Sequence, residues 1–506
     1  MANKSTKLLF FAGILLLSTG AFAITAKDFR AKMMANPNIV KAEGEAFSWN
    51  STYGIAGFIQ GYYAYNKDPK WLEEASTYYD YQISRMVKEP DGYMGWVGPY
   101  FGMEPKRGSV VVGDANLLDH MLEFSEIVMK NDSLKKSPLG KKAEEYIALA
   151  RSVLIDKWDK RGGYYEDGPF MSYLSTGIYI SGGKLESTPG RRNSENLNKH
   201  SKMGVCFLKL YRITGEQMFK DRAEKIFSHY KAIFRYHKSE NRYFWNFWEP
   251  LAPFDFKPEG DNSVSWIAVH PARPGYQSAE CEFITEAYHT GVVFSEDDMK
   301  KIINTNLWMW NKDLSSIHFK SSDGTAKTSN YDGKGGQDCG CLWPSLADFD
   351  QKIRDIYAVQ LKKGRNNELE MDYFNKVICR EKPSFKRKYV TGEVTLPDIP
   401  VLPSTEIIMA IATPGHINVA KGEKMKLACK GAPKVTGPVT VSLVSEDRKK
   451  VICEIGKIQL TAYKDMYGVN SMSWNGRDNY GAPLKGNYRV RFAKGDSTRE
   501  WPVSLE

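Results

Sequence analysis

Between about residues 45 and 380, apolar positions recur at helical spacing and come in pairs parted by short polar turns. The first unit runs from Tyr53 through Tyr65, turns at Asn66-Lys67-Asp68-Pro69 and returns from Trp71 to Met86. The second starts near Asp114 as DANLLDHMLEFSEIV and returns from Lys141 to Trp158. The third reverses at Thr214-Gly215-Glu216, the fourth at Ser295-Glu296-Asp297, and a fifth spans about Ser345 to Cys379. Asp68-Pro69 reads as N-cap plus first helical position, and Ser295-x-x-Asp298 as a variant capping box. The first helix of each pair is apolar nearly all round and the second has a polar face. That pattern predicts an inner and an outer layer.

From about Pro383 the helical period stops. Pro397, Pro400 and Pro403 punctuate a stretch after which the chain alternates as short strands: VTVSLVSED, VICEIGKIQLTAY and GNYRVRFAKG. WNGRDNYGAPLKGNYRV (Trp474 to Val490) resembles the immunoglobulin-like β-sandwich of the flagellar hook-capping type. The helical pairs, most of all KHSKMGVCFLKLYRITGEQMFKDRAEKIF, resemble the (α/α) toroid, or six-hairpin, fold of many glycoside hydrolases and polysaccharide lyases. The expected fold is mainly α: a toroid over 24–385, a Pro-containing linker over 386–412, and a small all-β sandwich over 413–506. The toroid resemblance implies a substrate cleft built by long loops at one end, here 87–113, 159–198, 238–277 and 312–344.

Composition narrows the class. The 506 residues are 42% hydrophobic and 26% charged, which supplies an ordinary core and excludes wholesale disorder. Aromatics at 13% tilt the reading towards sugar stacking. A net charge of +10 without a Lys/Arg block argues against nucleic acid and is compatible with an acidic polysaccharide partner. Lys4 and Lys7, the apolar run Leu8 to Leu17 and Ala21-Phe22-Ala23 read as a cleavable signal peptide over 1–23. The expected mature chain is therefore secreted or periplasmic, with no membrane span. The cysteine count, 7, is odd; Cys429 and Cys453 are candidates to pair, and Cys339-Gly340-Cys341 alone is weak evidence for zinc. No phosphate-binding loop, HExxH or GxSxG pattern occurs, and Gly113-Asp114-Ala115 is too short for a nucleotide loop. No metal or cofactor is expected.

The most suggestive stretch is His270-Pro271-Ala272-Arg273-Pro274-Gly275-Tyr276, three functional side chains stiffened by two prolines before an inner helix. A second is Asn196-Leu197-Asn198-Lys199-His200, at the start of the third inner helix, where anions are favoured. Asp114 holds the matching place in the second, with an N-cap as its simpler reading. Asn, His, Arg and Tyr together suit β-elimination on a uronic-acid chain. The sugar carboxylate must be neutralised before the proton on the adjacent carbon becomes acidic, and an acid must protonate the leaving oxygen. Resemblance to toroid lyases acting on alginate- and glucuronan-like chains implies Tyr276 as acid and candidate base, with His270 or His200 as alternative base. Arg273 and Asn198 would neutralise the carboxylate, and Asn196, Glu280 and Asp114 would contact substrate. The rival is a toroid glycoside hydrolase with paired carboxylates drawn from Asp114, Glu166, Asp167, Glu280 and Glu282. A third reading is a non-catalytic glycan-binding protein.

Overall fold

The computed structural model describes residue 27 and residues 42–506, apart from 100–105, 176–177, 188–192, 247, 249–250, 252–254, 259–262, 267–273, 320–321, 323–340, 363–381, 400, 404–406, 432–434, 462–467 and 496. The signal-peptide reading, His270, Arg273, Cys339 and Cys379 fall outside the described residues.

Among the described residues, four helical hairpins account for most of the first part. They are α1 (Gly44–Ala64) with α2 (Lys70–Ser84), α3 (Val111–Met129) with α4 (Pro138–Ala150), α5 (Leu197–Thr214) with α6 (Gln217–Ala232), and α7 (Pro274–His289) with α8 (Glu296–Trp308). The helices α1, α3, α5 and α7 pack side by side in chain order; α1, α3 and α5 are each backed by their own return helix, whereas α8 packs on the Arg242–Phe244 strand and α7 on the Pro344–Asp348 turn. This is an (α/α) toroid, with a parallel inner row and an antiparallel outer row. The inner helices are buried over most of their circumference; α3 buries sixteen of its nineteen residues, from Val111 to Val128. The fifth unit departs from the expected inner helix. Pro344–Asp348 forms a 3-10 turn, followed by α9 (Gln351–Lys362).

Of the turn chemistry read from the sequence, the capping box is present and the Asp68–Pro69 cap is shifted by one residue. Ser295 Oγ accepts from the Asp298 N–H at 3.1 Å, while Asp298 Oδ2 accepts from the Ser295 N–H at 2.8 Å. At the first turn, Asp68 Oδ1 accepts from the Lys70 N–H at 3.0 Å, and Pro69 rather than Asp68 is the N-cap. Gly215 ends α5 in the left-handed region at φ 75, a conformation that costs glycine little.

Among the described residues, the second part is a sandwich of two five-stranded sheets. One contains β5 (Ile407–Thr413), β7 (Met425–Gly431) and β10 (Gly468–Trp474), in the order β10-β7-β5. The other runs β6-β12-β11-β8-β9, with β6 His416–Ile417, β8 Gly437–Ser445, β9 Val451–Leu460, β11 Gly486–Lys494 and β12 Ser497–Leu505. Inward residues of both sheets, among them Leu427, Val441, Val490 and Phe492, form its core. Cys429 and Cys453 lie on different sheets and are free buried thiols, so the considered pairing is absent. Burial pushes the Cys429 thiol up to about 12.

The first sheet is completed from outside the sandwich. A hairpin from the long loop ahead of α7, β3 (Phe256–Pro258) and β4 (Ser263–Trp266), adds to the edge of β10, with Ser263, Val264 and Ser265 opposite Asn470, Val469 and Gly468. Leu402–Pro403 in turn pairs in parallel with Arg235–Tyr236 of the toroid. Among the described residues no helix is long and apolar enough to cross a membrane.

Candidate active site

The four inner helices begin at one end. The α1 first-turn residue Glu45 is 3.1 Å from Lys199 in the first turn of α5. Trp49 of α1 packs against Val110 and Val112 at the start of α3, and Tyr276, in the first turn of α7, lies within the electrostatic reach of Lys199. These N-termini lie together at one end of the inner row, the mouth end of the toroid, and the side chains below them can be followed down each helix by phase.

On α5, Lys202, Lys209 and Arg212 point inward; on α3, Asp119, Glu123 and Glu126 do. Asp119 binds Lys202 at 2.8 Å and Lys209 at 2.7 Å. Despite burial, these two cations hold its carboxyl below the usual range. Deeper still, Arg212 makes a two-pronged bond to Glu126, both arms 2.7 Å, and reaches Glu286 of α7 at 2.6 Å. The Tyr389 ring lies 4.0 Å beneath the Arg212 guanidinium and closes this end of the interior. The lower interior is thus a saturated ionic lattice.

The upper interior is not saturated. Asn198 lies four residues before Lys202, and Asn116 three before Asp119, so both share the inward face one turn nearer the mouth. Asn116 Nδ2 and Oδ1, Asn198 Oδ1 and both His120 nitrogens are buried without a hydrogen-bond partner. Orphaned buried polar atoms of this number are rare in folded proteins, and a polar ligand or ordered water satisfies them. Burial lowers His120 to about 4, opposed by Asp119 and assisted by Lys202 and Lys209.

At the rim sit two carboxylates, Glu45 and Glu195, either side of Lys199. Glu45 Oε1 accepts from the Trp49 indole at 3.2 Å as well as from Lys199. Glu195 is placed by backbone: its N–H donates to the Tyr173 carbonyl at 2.7 Å, and Ser194 N–H donates to Asp255 Oδ1 at 2.7 Å. Burial raises the Glu195 pKa; Lys199 opposes this, and the Glu45 charge adds to it. Burial acts against the Lys199 charge, but Glu195 and Glu45 outweigh it and hold Lys199 above the usual lysine value. Two like charges sharing one cation favour one protonated and one ionised carboxyl.

The structure scatters part of the predicted set. Tyr276, 39% exposed, and Asn198 belong to the mouth, and Asn196 stands beside them as the N-cap of α5. His200 lies in the first turn of α5 as expected but on the opposite face. Its ring meets His229 of α6 at 5.6 Å, and it is fully buried between the layers. Two residues from an inward Lys202 is a helical rotation of about 200°, so this outward direction follows from phase. Asp114 is not an N-cap; Val110 is. Asp114 is buried against Lys157 at 2.7 Å and the Trp158 indole at 3.0 Å, on the face of α3 towards its return helix. Glu280 accepts from the Trp245 indole at 2.7 Å and the Tyr230 hydroxyl at 2.9 Å, and burial pushes it up to about 8 despite both donors. None of these three touches solvent. Of the other carboxylates considered, Glu166 pairs with Lys225 at the surface. Glu282 is felt by Lys202 and His120 in the interior.

Glu45, Glu195 and Lys199 were missed by the sequence reading. Lys199 stood inside the Asn196–His200 stretch, and its helical phase sets it on the inward face that His200 leaves. Glu45 precedes the expected start of its helix, and Glu195 carries no local signal.

No family model and no curated protein matches the chain. Among solved structures it is similar to a family 76 glycoside hydrolase from a bovine Bacteroides thetaiotaomicron strain, at 15% identity and TM-score 0.37 over 56% of this chain and 52% of that one. It is also similar to the GH76A alpha-1,6-mannanase from Salegentibacter sp. HEL1_6, at 10% identity and TM-score 0.36 over 59% of this chain and 74% of that one. An inactive variant of that mannanase in complex with alpha-1,6-mannotriose matches at 11% identity and TM-score 0.36, with the same coverage. The match spans about half the length of the first of these (52%). TM-scores this low carry no argument about the reaction.

Proposed function

We propose that the protein is a carbohydrate-active enzyme whose reaction takes place at the mouth of the toroid, and that it hydrolyses a glycosidic bond. The observation that carries this is the Glu45–Lys199–Glu195 arrangement. Glu195, with its raised pKa, is suited to give a proton to the leaving glycosidic oxygen. Glu45, fixed by Lys199 and Trp49, is suited to act as the second carboxylate on water or on the sugar carbon. Asn116, Asn198 and His120 would take sugar hydroxyls with their unpartnered atoms.

Elimination from an acidic sugar is the second reading, favoured by Tyr276 beside the Lys199 ammonium. Here Lys199, rather than Arg273, would be the cation that neutralises the substrate carboxylate, and the Tyr276 hydroxyl would move the proton. The expected site of action is outside the cell or in the periplasm, and the first residue of the mature chain would then be Ile24.

The deciding experiment incubates the full chain with neutral α- and β-linked glycans and with uronate polymers. It follows reducing ends and the ultraviolet absorbance of the double bond that elimination creates. Hydrolysis gives reducing ends alone, and Glu195→Gln lowers their release about 100-fold or more. Elimination gives both signals, and Tyr276→Phe abolishes them while Glu195→Gln leaves most activity. Binding with neither signal would leave the non-catalytic reading.

A further inference from the structure

Glu195 stands on a short extended segment that two different loops hold from opposite sides. On one side, its own loop provides the partners. Ser175 N–H donates to the Asn193 carbonyl and Glu195 N–H to the Tyr173 carbonyl, both at 2.7 Å, and Ser194 bridges Leu174. On the other side, loop 238–277 grips Ser194. Asp255 Oδ1 accepts from the Ser194 N–H at 2.7 Å, and the Trp248 indole donates to the Ser194 carbonyl at 2.8 Å. Asp255 is fully buried, and its second oxygen accepts from the Leu251 N–H at 2.9 Å. A carboxylate with a backbone N–H on each oxygen makes the stronger, charge-assisted kind of bond and has little freedom to turn.

The hairpin that follows Asp255 is anchored in the sandwich. β3 pairs with β4 from Phe256 opposite Trp266 to Pro258 opposite Val264. β4 pairs in turn with Gly468, Val469 and Asn470 of β10. Inside the sandwich, β10 meets β7 only from Asn470 to Trp474. Gly468 and Val469 therefore run past the end of the β7 pairing and, among the described residues, pair with β4 alone. Gly468 lies opposite Ser265 and Ser265 opposite Lys257, two residues after Asp255. Two strand spacings, about 10 Å, thus separate the sandwich from the neighbourhood of Asp255.

We propose that the sandwich is part of the machinery of the mouth, and that Asp255 is the positioning residue through which it holds Glu195. The inference rests on the reading of Glu195 as the proton donor. A donor acts only within hydrogen-bond reach of the leaving oxygen, and a misplacement of about 1 Å costs on the order of a hundredfold in rate. β10 keeps the hairpin in place, the hairpin keeps Asp255 in place, and Asp255 fixes the backbone next to Glu195. The groups that face Glu195 are Lys199 and Glu45; burial raises its pKa, Lys199 opposes and Glu45 adds. Loosening the grip on Ser194 admits water and returns Glu195 towards the ordinary glutamate value.

The test is carbon-13 NMR titration of the full chain with its glutamate carboxyls labelled, Glu195 being the signal that Glu195→Gln removes. The parent signal is expected to titrate above the ordinary glutamate value, and Asp255→Ala to bring it down. Asp255→Asn keeps one acceptor for the two N–H groups and should fall between. Gly468→Pro and Val469→Pro leave every toroid residue in place, so they carry the test should the Asp255 variants fold poorly. Successive N–H groups of a strand point to opposite sides, so one of these two removes a donor that faces β4 and should reproduce the Asp255→Ala shift. On a glycan that the parent cleaves, the same variants should lower kcat about tenfold or more and move KM less. An unchanged Glu195 titration in Asp255→Ala or in both proline variants, even with a lower thermal midpoint, would overturn the proposal, as would a kcat equal to the parent's. The titration needs no substrate, so a failure of the hydrolase reading shows separately, in the reducing-end assay.

Discussion

Asp114 and Lys157 meet at 2.7 Å with neither side chain touching solvent, and Glu89, Ser109 and Arg161 complete the cluster around them. Lys157 reaches this place because the return helix widens into a π-helical turn over Arg151–Lys157. Burial raises the Asp114 pKa even against Lys157, so the pair holds a large desolvation cost. Lys157→Met should cost about 3–5 kcal/mol because it strands the carboxylate, whereas the double change with Asp114→Asn should cost less. Thermal unfolding of the three proteins measures both. The His200–His229 pair makes a pH prediction. Burial, with Arg499 adding to it, lowers His229 to about 3, and burial with His229 lowers His200. In the unfolded chain both take protons near pH 6.5, while the native pair stays neutral. Stability is therefore flat above that pH and falls as pH drops towards about 3, by roughly 1.4 kcal/mol per pH unit for His229. His229→Phe should flatten this slope, read as the thermal midpoint at pH 7 against pH 4.5.

At the scale of single elements, one short signal was legible in the sequence and holds in the structure. The capping box at Ser295–Asp298 starts α8. Ser295→Ala should cost about 1 kcal/mol, the usual worth of an N-cap. Asp298→Ala should cost more, because the same carboxylate also binds Lys231 at 2.8 Å and accepts from the Tyr243 hydroxyl at 2.9 Å. Denaturant unfolding of the two variants orders them. The hairpin turns and the strands of the sandwich could be read because each depends on residues adjacent in the chain. The 3-10 turn at Pro344–Asp348 and the π-turn at Arg151–Lys157 could not, since both answer to neighbours far along the sequence.

At the scale of the whole molecule, toroid and sandwich are one construction. The β3–β4 hairpin leaves the toroid, joins β10, and the chain then returns to start α7 and place Tyr276 at the mouth. Arg499 of β12 donates to the Ala232 carbonyl at the end of α6, at 2.7 Å. Deleting residues 407–506 takes away the sheet edge that the hairpin occupies and leaves β4 backbone groups unpaired. Limited proteolysis of that truncated chain should cut within 256–266 well before any cut in the full chain, and one cooperative unfolding transition is expected for the full chain. Activity, once a substrate is found, should fall together with this protection.

What the sequence determined by itself is the part governed by period and local chemistry: paired helices, their turns, and a change to alternating strands after Pro383. It also put Tyr276, Asn198 and Asn196 near the start of inner helices. What only the tertiary structure decided is which side chains meet. Glu45 and Glu195 are 150 positions apart in the numbering, and nothing near either one marks it as half of a pair. Asp114, His200 and Glu280 look like site residues by type, yet the rotation of a few residues along a helix turns each into the packing between layers. A carboxylate becomes an acid, a base or a buried tie through the charges and water around it, and those are set by the fold.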